Sequence, residues 1–435
     1  MPSLPKVPKP FPEKPPPGPF QREFWRSPLR GPWLTSFLGS ALLPLVIVCA
    51  LTGFLSHVAY YPDLGDNSIT GSGRIGFDLY FFDFPTNPAW LYAFTQGLHI
   101  ISGLAAIPIL LAKLWSAMPK FFEWPPVRSP AHMLDRLSLA LLVGGSLFVF
   151  FTGVLNIQLW YPWGFSFVPA HYYGAFVFLA ALGLHLVAKI SVARRAFREE
   201  GVVKPLRADV RHTEPEPYDE NTTAPYAPSA PTMSRRGLLG VVGAGSLGLT
   251  LMAVGQVVGG PFRSLALLSP RGRGFGSGPN EFQVNRTALE AAIKPATTTS
   301  TWRLKLEGGG VPVEFSREEL LEMTQHTESL PIACVEGWST TQDWTGVRLK
   351  DLAALAGIDG DAELTVQSLE EGGSFNQATL SDSQVADERS LLALQVNGAD
   401  LSLDHGFPAR VIAPAVPGVH CTKWVSSMTF SGVDA

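Results

Sequence analysis

Val168-Pro-Ala-His-Tyr-Tyr-Gly-Ala-Phe-Val-Phe-Leu-Ala-Ala-Leu-Gly-Leu-His-Leu-Val-Ala-Lys-Ile190 decides the first half of the fold. It is apolar for the roughly 20 residues that a membrane-spanning helix needs. It also carries two histidines, His171 and His185. Fourteen residues at 3.6 per turn place them on nearly one face, about 21 Å apart along the axis. An ordinary buried core helix is the alternative for any single apolar run. Residues 33–60, 88–115 and 134–157 repeat the pattern, and 237–260 adds a fifth run rich in Gly, Ala, Val and Leu. Five such runs in one chain predict an integral membrane protein.

Composition agrees. Of 435 residues only 16% are charged, against the ~25% usual for soluble domains. Residues 1–260 hold 20 Lys/Arg and 15 Asp/Glu, whereas 261–435 hold 13 and 22. The two parts therefore suit different environments, and the acidic back part argues against nucleic-acid binding. Basic residues cluster before residue 33, between 113 and 136, and between 189 and 236, while the loop 61–87 has only Arg74. Positive loops stay cytoplasmic. The expected protein is a multi-pass cell-membrane protein with a cytoplasmic N-terminus and an extracytoplasmic C-terminal domain.

The expected divisions are a Pro-rich cytoplasmic tail (1–32), a four-span domain (33–195), a cytoplasmic linker (196–233), an anchor helix (234–260) and an outer domain (261–435). Tail and linker need no packed fold. Ser234-Arg-Arg-Gly-Leu-Leu239 resembles a twin-arginine export signal placed internally, the alternative being a plain positive-inside anchor. No small-x-small cleavage site follows it, so the helix is expected to remain as an anchor.

Ionisable residues within a membrane are costly and usually functional. His57, His99, His171 and His185 lie in the first four spans. Neutral imidazole is a standard axial ligand for haem iron, so one or two b-type haems are expected. Depth pairs His57 with His171 and His99 with His185. Gly97, Gly103, Gly174 and Gly183 would let a flat macrocycle approach the backbone. Hydrogen-bonded or interfacial histidines are the alternative reading, and the one preferred for His132. With its two histidines 14 residues apart on span four, this region resembles the four-helix cytochrome b family related to bacterial cytochrome b561 and to the b-type subunits of hydrogenases and formate dehydrogenases.

After residue 260 the periodicity changes. Strands are expected at 301–306, 362–368, 409–413 and 424–430, and helices at 320–324 and 347–356. Ser316-Arg-Glu-Glu319 supplies a capping box for the first of these helices. The expected fold class is thus multi-domain: an all-α haem bundle with an anchor helix, then an α+β domain.

Cys334-Val-Glu-Gly-Trp-Ser339 followed by Trp344-Thr-Gly-Val-Arg-Leu349 resembles the molybdopterin-binding core of the sulfite oxidase family. The likeness is greatest to the bacterial branch containing the periplasmic methionine sulfoxide reductase catalytic subunit. Without that resemblance, Cys334 would be a small buried residue. The resemblance implies that it binds molybdenum, and a soft thiolate suits a metal already held by dithiolene sulfurs. His405-Gly-Phe-Pro-Ala-Arg410 and Pro417-Gly-Val-His-Cys-Thr-Lys-Trp424 resemble the same family's pterin-binding region, about 75 residues on. The resemblance implies that His405, Arg410, Gly418, Val419, His420 and Lys423 hold the pterin and its phosphate. Cys421 is read as structural.

These readings join as a molybdopterin-dependent oxidoreductase that acts on a small substrate by oxygen-atom transfer and exchanges electrons with membrane quinone through haem b. One alternative is a catalytically silent binding or sensing module on an electron-transfer cytochrome. Another is a cytochrome whose acidic domain docks a soluble, basic redox partner.

Overall fold

The computed structural model describes residues 12, 14–60, 82–372 and 376–432. The loop 61–87 that anchors the orientation argument falls largely outside them, as do residues 1–11 and 13 of the N-terminal tail. Among the described residues five helices are long and apolar enough to cross a membrane: α1 (Pro32–Val58), α2 (Leu91–Phe121), α3 (Pro130–Ile157), α4 (Phe167–Glu200) and α5 (Arg235–Val257). In α5 only 6% of the most apolar window is buried. A helix that leaves apolar residues outward on most sides has the surface of a lipid-facing span.

The chain divides into two compact units, and the division runs through the helices. One unit holds residues 1–47, 103–153 and 170–249, and the other 48–102, 154–169 and 250–435.

In the first unit Leu42, Val46, Ala106, Leu110, Val149 and Phe178 form the apolar centre. A Cβ at Gly145 would lie 3.3 Å from the Phe178 Cα, so glycine permits close approach of α3 and α4 there. The segment expected to be an unpacked linker is packed. Trp33 Nε1 donates to the Gly201 carbonyl at 2.7 Å, and the Trp33 backbone N–H donates to the Glu216 carboxylate at 3.1 Å. Glu216 also faces Arg235 at 3.8 Å, both side chains being buried. Unsatisfied N–H groups at the start of α1 recruit this carboxylate.

In the second unit two five-stranded sheets enclose the main core. The first has the order β2 (Val313–Phe315), β1 (Leu304–Glu307), β10 (Val425–Gly432), β5 (Ala362–Ser368), β6 (Gln377–Leu380). The second has the order β3 (His326–Ala333), β4 (Ser339–Arg348), β7 (Leu391–Val396), β8 (Ala399–Asp400), with β9 (Arg410–Ile412) also on β7. Short helices α6 (Arg317–Glu322), α7 (Leu349–Leu355) and α8 (Asp382–Ala386) complete an α+β domain. Trp344, Leu304, Leu349, Leu364, Leu392 and Val411 are fully buried in its core.

The strand expected at 362–368 is β5, with alternating burial along its length. The Ser316–Glu319 capping box forms at the start of α6. The helix expected at 347–356 begins at Leu349 instead. Val347 and Arg348 remain in β4, opposite Leu392 and Leu391. Ladder hydrogen bonds and burial there outweigh helix propensity.

Candidate active site

β3 ends at Ala333 and β4 begins at Ser339, so residues 334–338 form the connecting loop. The Cys334 N–H donates to the Trp338 carbonyl at 3.0 Å, and the Gly337 N–H to the Cys334 carbonyl at 2.9 Å. Gly337 has φ +95°, which favours glycine. Cys334 is 5% exposed. Burial and the adjacent Glu336 carboxylate push its thiol well above its ordinary range. Glu336 accepts from Arg271 Nε and Nη2, both at 2.6 Å, and from Trp338 Nε1 at 3.0 Å. This pair is hard to see in the sequence because its partners lie 65 residues apart. Arg271-Gly-Arg-Gly274 and the Glu two residues after Cys334 were its only signals.

The stretch 417–420 reaches the same place. Pro417 bridges Ala333 in parallel, and the Gly418 N–H donates to the Ala333 carbonyl at 2.8 Å. A Cβ at Gly418 would lie 3.1 Å from that carbonyl oxygen. Val419 is half-buried and His420 fully buried. The His420 ring lies 6.3 Å from that of Tyr60, whose hydroxyl is 3.2 Å from the Tyr92 hydroxyl. The His420 N–H donates to the Pro417 carbonyl at 2.9 Å, so the Gly418 and His420 amides serve the turn itself.

His405, Arg410 and Lys423 form a second group. Arg410 on β9 donates to the carbonyls of His405 and Cys421, both at 3.2 Å, and its guanidinium lies 5.0 Å from the Trp344 ring. Burial lowers its pKa to about 10. Lys423 Nζ donates to the carbonyls of Asp404, at 2.9 Å, and Arg286. Burial and the Arg410 charge hold it well below the ordinary lysine range. His405 stacks on Phe282 with ring centroids 3.7 Å apart, and its Nε2 donates to the Asn280 carbonyl at 2.9 Å. Burial and Arg410 lower its pKa to about 3, so it is neutral. None of the three makes a hydrogen bond or ion pair with Cys334 among the described residues.

Each part suits the group that the sequence resemblance implies. Among the described residues Arg410 and Lys423 are buried without a carboxylate at ion-pair distance, and Arg410 Nε and Thr422 Oγ1 are buried without a hydrogen-bond partner. Desolvated cations held only by carbonyl dipoles favour an anion such as a phosphate. A buried thiol beside a carboxylate becomes a thiolate only with a cation in place, and a soft metal supplies one.

The histidines of the helices lie in different surroundings. His99 Nδ1 is 2.7 Å from the Cys49 carbonyl, and a Cβ at Gly53 would lie 2.8 Å from the His99 ring. His171 Nδ1 is 3.1 Å from Thr152 Oγ1, and a Cβ at Gly153 would lie 3.3 Å from that ring. His57 is the penultimate residue of α1, and His185 lies in the middle of α4. Two of the glycines expected to admit a macrocycle pack against side chains instead, Gly97 on Val257 and Gly174 on Phe148. Gly53 and Gly153 are the glycines beside histidine rings.

Residues 291–435 match the family described as oxidoreductase molybdopterin binding domain. An uncharacterized oxidoreductase of Bacillus subtilis, YuiH, is 33% identical over 132 residues, 30% of this chain and 65% of the relative. Mouse mitochondrial sulfite oxidase is 29% identical over 179 residues, 35% of this chain and 32% of the relative. The chain thus spans just under two thirds of the first relative and about a third of the second. Among solved structures, the sulfane dehydrogenase SoxCD from Paracoccus pantotrophus aligns over 30% of this chain and 38% of its own, at 24% identity and a TM-score of 0.28. The C-terminal region of this chain is an oxidoreductase molybdopterin-binding domain of the sulfite oxidase family.

Proposed function

We propose that the chain is a membrane-bound molybdopterin-dependent oxidoreductase acting on a small extracytoplasmic substrate and exchanging electrons with the quinone pool through b-type haem. The observation that carries this reading is the junction of Cys334 with the 417–420 stretch inside a domain of this family. Cys334 would hold the metal. Arg410, Lys423 and His420 would hold the pterin and its phosphate, with His405 bracing Arg410 through its carbonyl and Val419 and Gly418 lining the turn. When bound, the molybdenum–pterin group supplies two-electron, oxygen-atom-transfer chemistry. The protein contributes position, burial and the charge of the surrounding residues. Burial, with the Glu336 carboxylate beside it, keeps the Cys334 thiol uncharged until a cation arrives.

The membrane part of the proposal has its own supports. Five apolar helices are compatible with a multi-pass protein. The helix ends that share a unit with the C-terminal domain alternate between C-terminal and N-terminal along the chain, as in an up-and-down arrangement. The basic clusters favour a cytoplasmic N-terminus. His57, His99, His171 and His185 are the proposed iron ligands for one or two haems. Nδ1 of His99 points at a carbonyl, which must accept, and this fixes Nε2 as the basic nitrogen. Thr152 Oγ1 donates to the Phe148 carbonyl at 2.8 Å, leaving its lone pairs to accept from His171 Nδ1.

One observation favours a silent module instead: His405, Arg410 and Lys423 already engage Phe282 and backbone carbonyls. Cys334→Ser in the full-length protein separates the readings. The expected variant retains its b-type spectrum and its pterin, but turnover with a quinol analogue is lost. Wild-type protein purified without molybdenum, or a Cys334→Ser protein with undiminished turnover, would sink the oxidoreductase reading.

A further inference from the structure

Two glutamines in the apolar helices grip the loop after Cys334. Gln96 of α2 donates from Nε2 to the Val335 carbonyl at 2.9 Å. Gln256 of α5 donates from Nε2 to the Glu336 carbonyl, also at 2.9 Å. Both amides are 6% exposed. They take successive peptide units, from different helices, directly beside the cysteine. One turn beyond Gln96, Ile100 lies so close to the loop that a Cβ at Gly337 would be 2.6 Å from its Cδ1. One residue beyond Gln256, the Val257 carbonyl accepts from Ser339 Oγ at 2.8 Å. Nothing within the β3–β4 hairpin supplies these partners.

A glutamine inside an apolar helix is kept out of water at a cost unless it is hydrogen-bonded. A hairpin loop that leaves two carbonyls buried has the same problem. Each solves the other's, and the result is directional. The Val335 and Glu336 peptide planes are fixed from outside, and the position of the Cys334 side chain follows from theirs. Bracing of a metal ligand by its neighbours is the usual means of setting its geometry.

We propose that Gln96 and Gln256 are positioning residues for Cys334, so that the helices complete a site which the C-terminal domain does not hold by itself. The proposal rests on Cys334 being the working residue of the site, and its test can be read without cofactor. Full-length protein in detergent, free of molybdenum, is alkylated with iodoacetamide, and modification of Cys334 is followed by peptide mass spectrometry. Gln96→Met and Gln256→Met keep side-chain length and remove the donor. Each is expected to raise the Cys334 rate roughly tenfold by freeing the loop to open locally. Gln325→Met removes comparable bonds, to the Leu320 and Met323 carbonyls, away from the loop, and should leave the rate unchanged. Unchanged rates in both loop variants, or equal acceleration in all three, would overturn the proposal.

Wild-type hydrogen exchange covers the case in which a variant does not fold. The Cys334 and Gly337 amides should exchange as slowly as those of the β3–β4 ladder, and exchange at the pace of the exposed loop 308–310 would count against the clamp. In cofactor-loaded protein the molybdenum(V) electron paramagnetic resonance signal should shift in Gln96→Met and not in Gln325→Met. Accelerated alkylation in a protein whose wild type binds no molybdenum would uphold the clamp while removing the oxidoreductase reading.

Discussion

Cations are treated in opposite ways at the two ends of the candidate site. Beside Cys334, Arg271 is tied to Glu336 through two short bonds, and the pair is neutral. Beneath the 417–423 stretch, Arg410 and Lys423 have only carbonyl dipoles at hydrogen-bond distance. Taking a charge out of water is expensive in either case, and only the first pair recovers that cost internally. The difference separates bracing from binding. On the proposed function, the neutral end holds a loop in shape, whereas the positive end would gain stability when an anion joins it.

The contrast breaks most visibly at Glu336. Glu336→Gln keeps the shape and strands the Arg271 charge, so unfolding in urea should show a loss of about 3–5 kcal/mol. A loss below about 1 kcal/mol would mean that the pair is screened like a surface bridge. Arg410→Met should behave differently. It removes an unneutralised charge, so cofactor-free stability should change little. Pterin occupancy at limiting cofactor should fall by the equivalent of about 1.5–3 kcal/mol, the worth of a charge-assisted bond. If Arg410→Met destabilises cofactor-free protein as much as Glu336→Gln does, the two ends are alike.

Proton uptake sharpens the comparison. His405 has a pKa of about 3 in the folded chain and about 6.5 when unfolded. Between those values the unfolded chain binds the extra proton, so stability rises with pH from about 3 to 6.5 and is level above. The contribution to the slope is about 1.4 kcal/mol per pH unit. His405→Gln should remove one proton from the uptake measured over that window, and an unaltered slope would refute the buried neutral imidazole.

The smallest effect is expected at a fourth cation, Arg235. Arg235 sits 3.8 Å from Glu216 with Nε and Nη2 otherwise unpartnered, whereas Arg236 is exposed. Arg235→Lys should cost up to about 1 kcal/mol in thermal unfolding, and Arg236→Lys nothing measurable. Only the second variant therefore tests export by itself. A reporter that shows normal export of Arg236→Lys would leave this motif as a charge anchor.

These cases also show which features were legible in the sequence. The five helices follow from uninterrupted apolar runs, where one physical requirement dominates. β5 was legible because one face is buried and the other is not. β4 was not, since Ser339-Thr-Thr-Gln-Asp343 is polar on both faces and resembles a loop until its partner strands are known. β7 is apolar at nearly every position, giving no alternation to read. The cysteine motif and the 417–420 turn were visible as local patterns, and their adjacency is a property of the fold. Arg271, Gln96 and Gln256 were missed because each acts through a partner far away in sequence. A lone glutamine in an apolar helix was the available clue for the latter two.

The bond from Gln96 to the Val335 carbonyl bears on conduction as well as on shape. His99 follows Gln96 by three residues on α2, within a single turn. From Cys334, a route passes along one peptide unit, across a 2.9 Å hydrogen bond and through the glutamine side chain into the helix that bears a proposed iron ligand. Bonds transmit an electron with less attenuation than gaps do. On the proposed function, a mutation that loosens this amide would lengthen the electron's jump as well as slacken the loop, and the two losses would appear together as slower electron exchange between the site and the haem with no change in how tightly substrate binds.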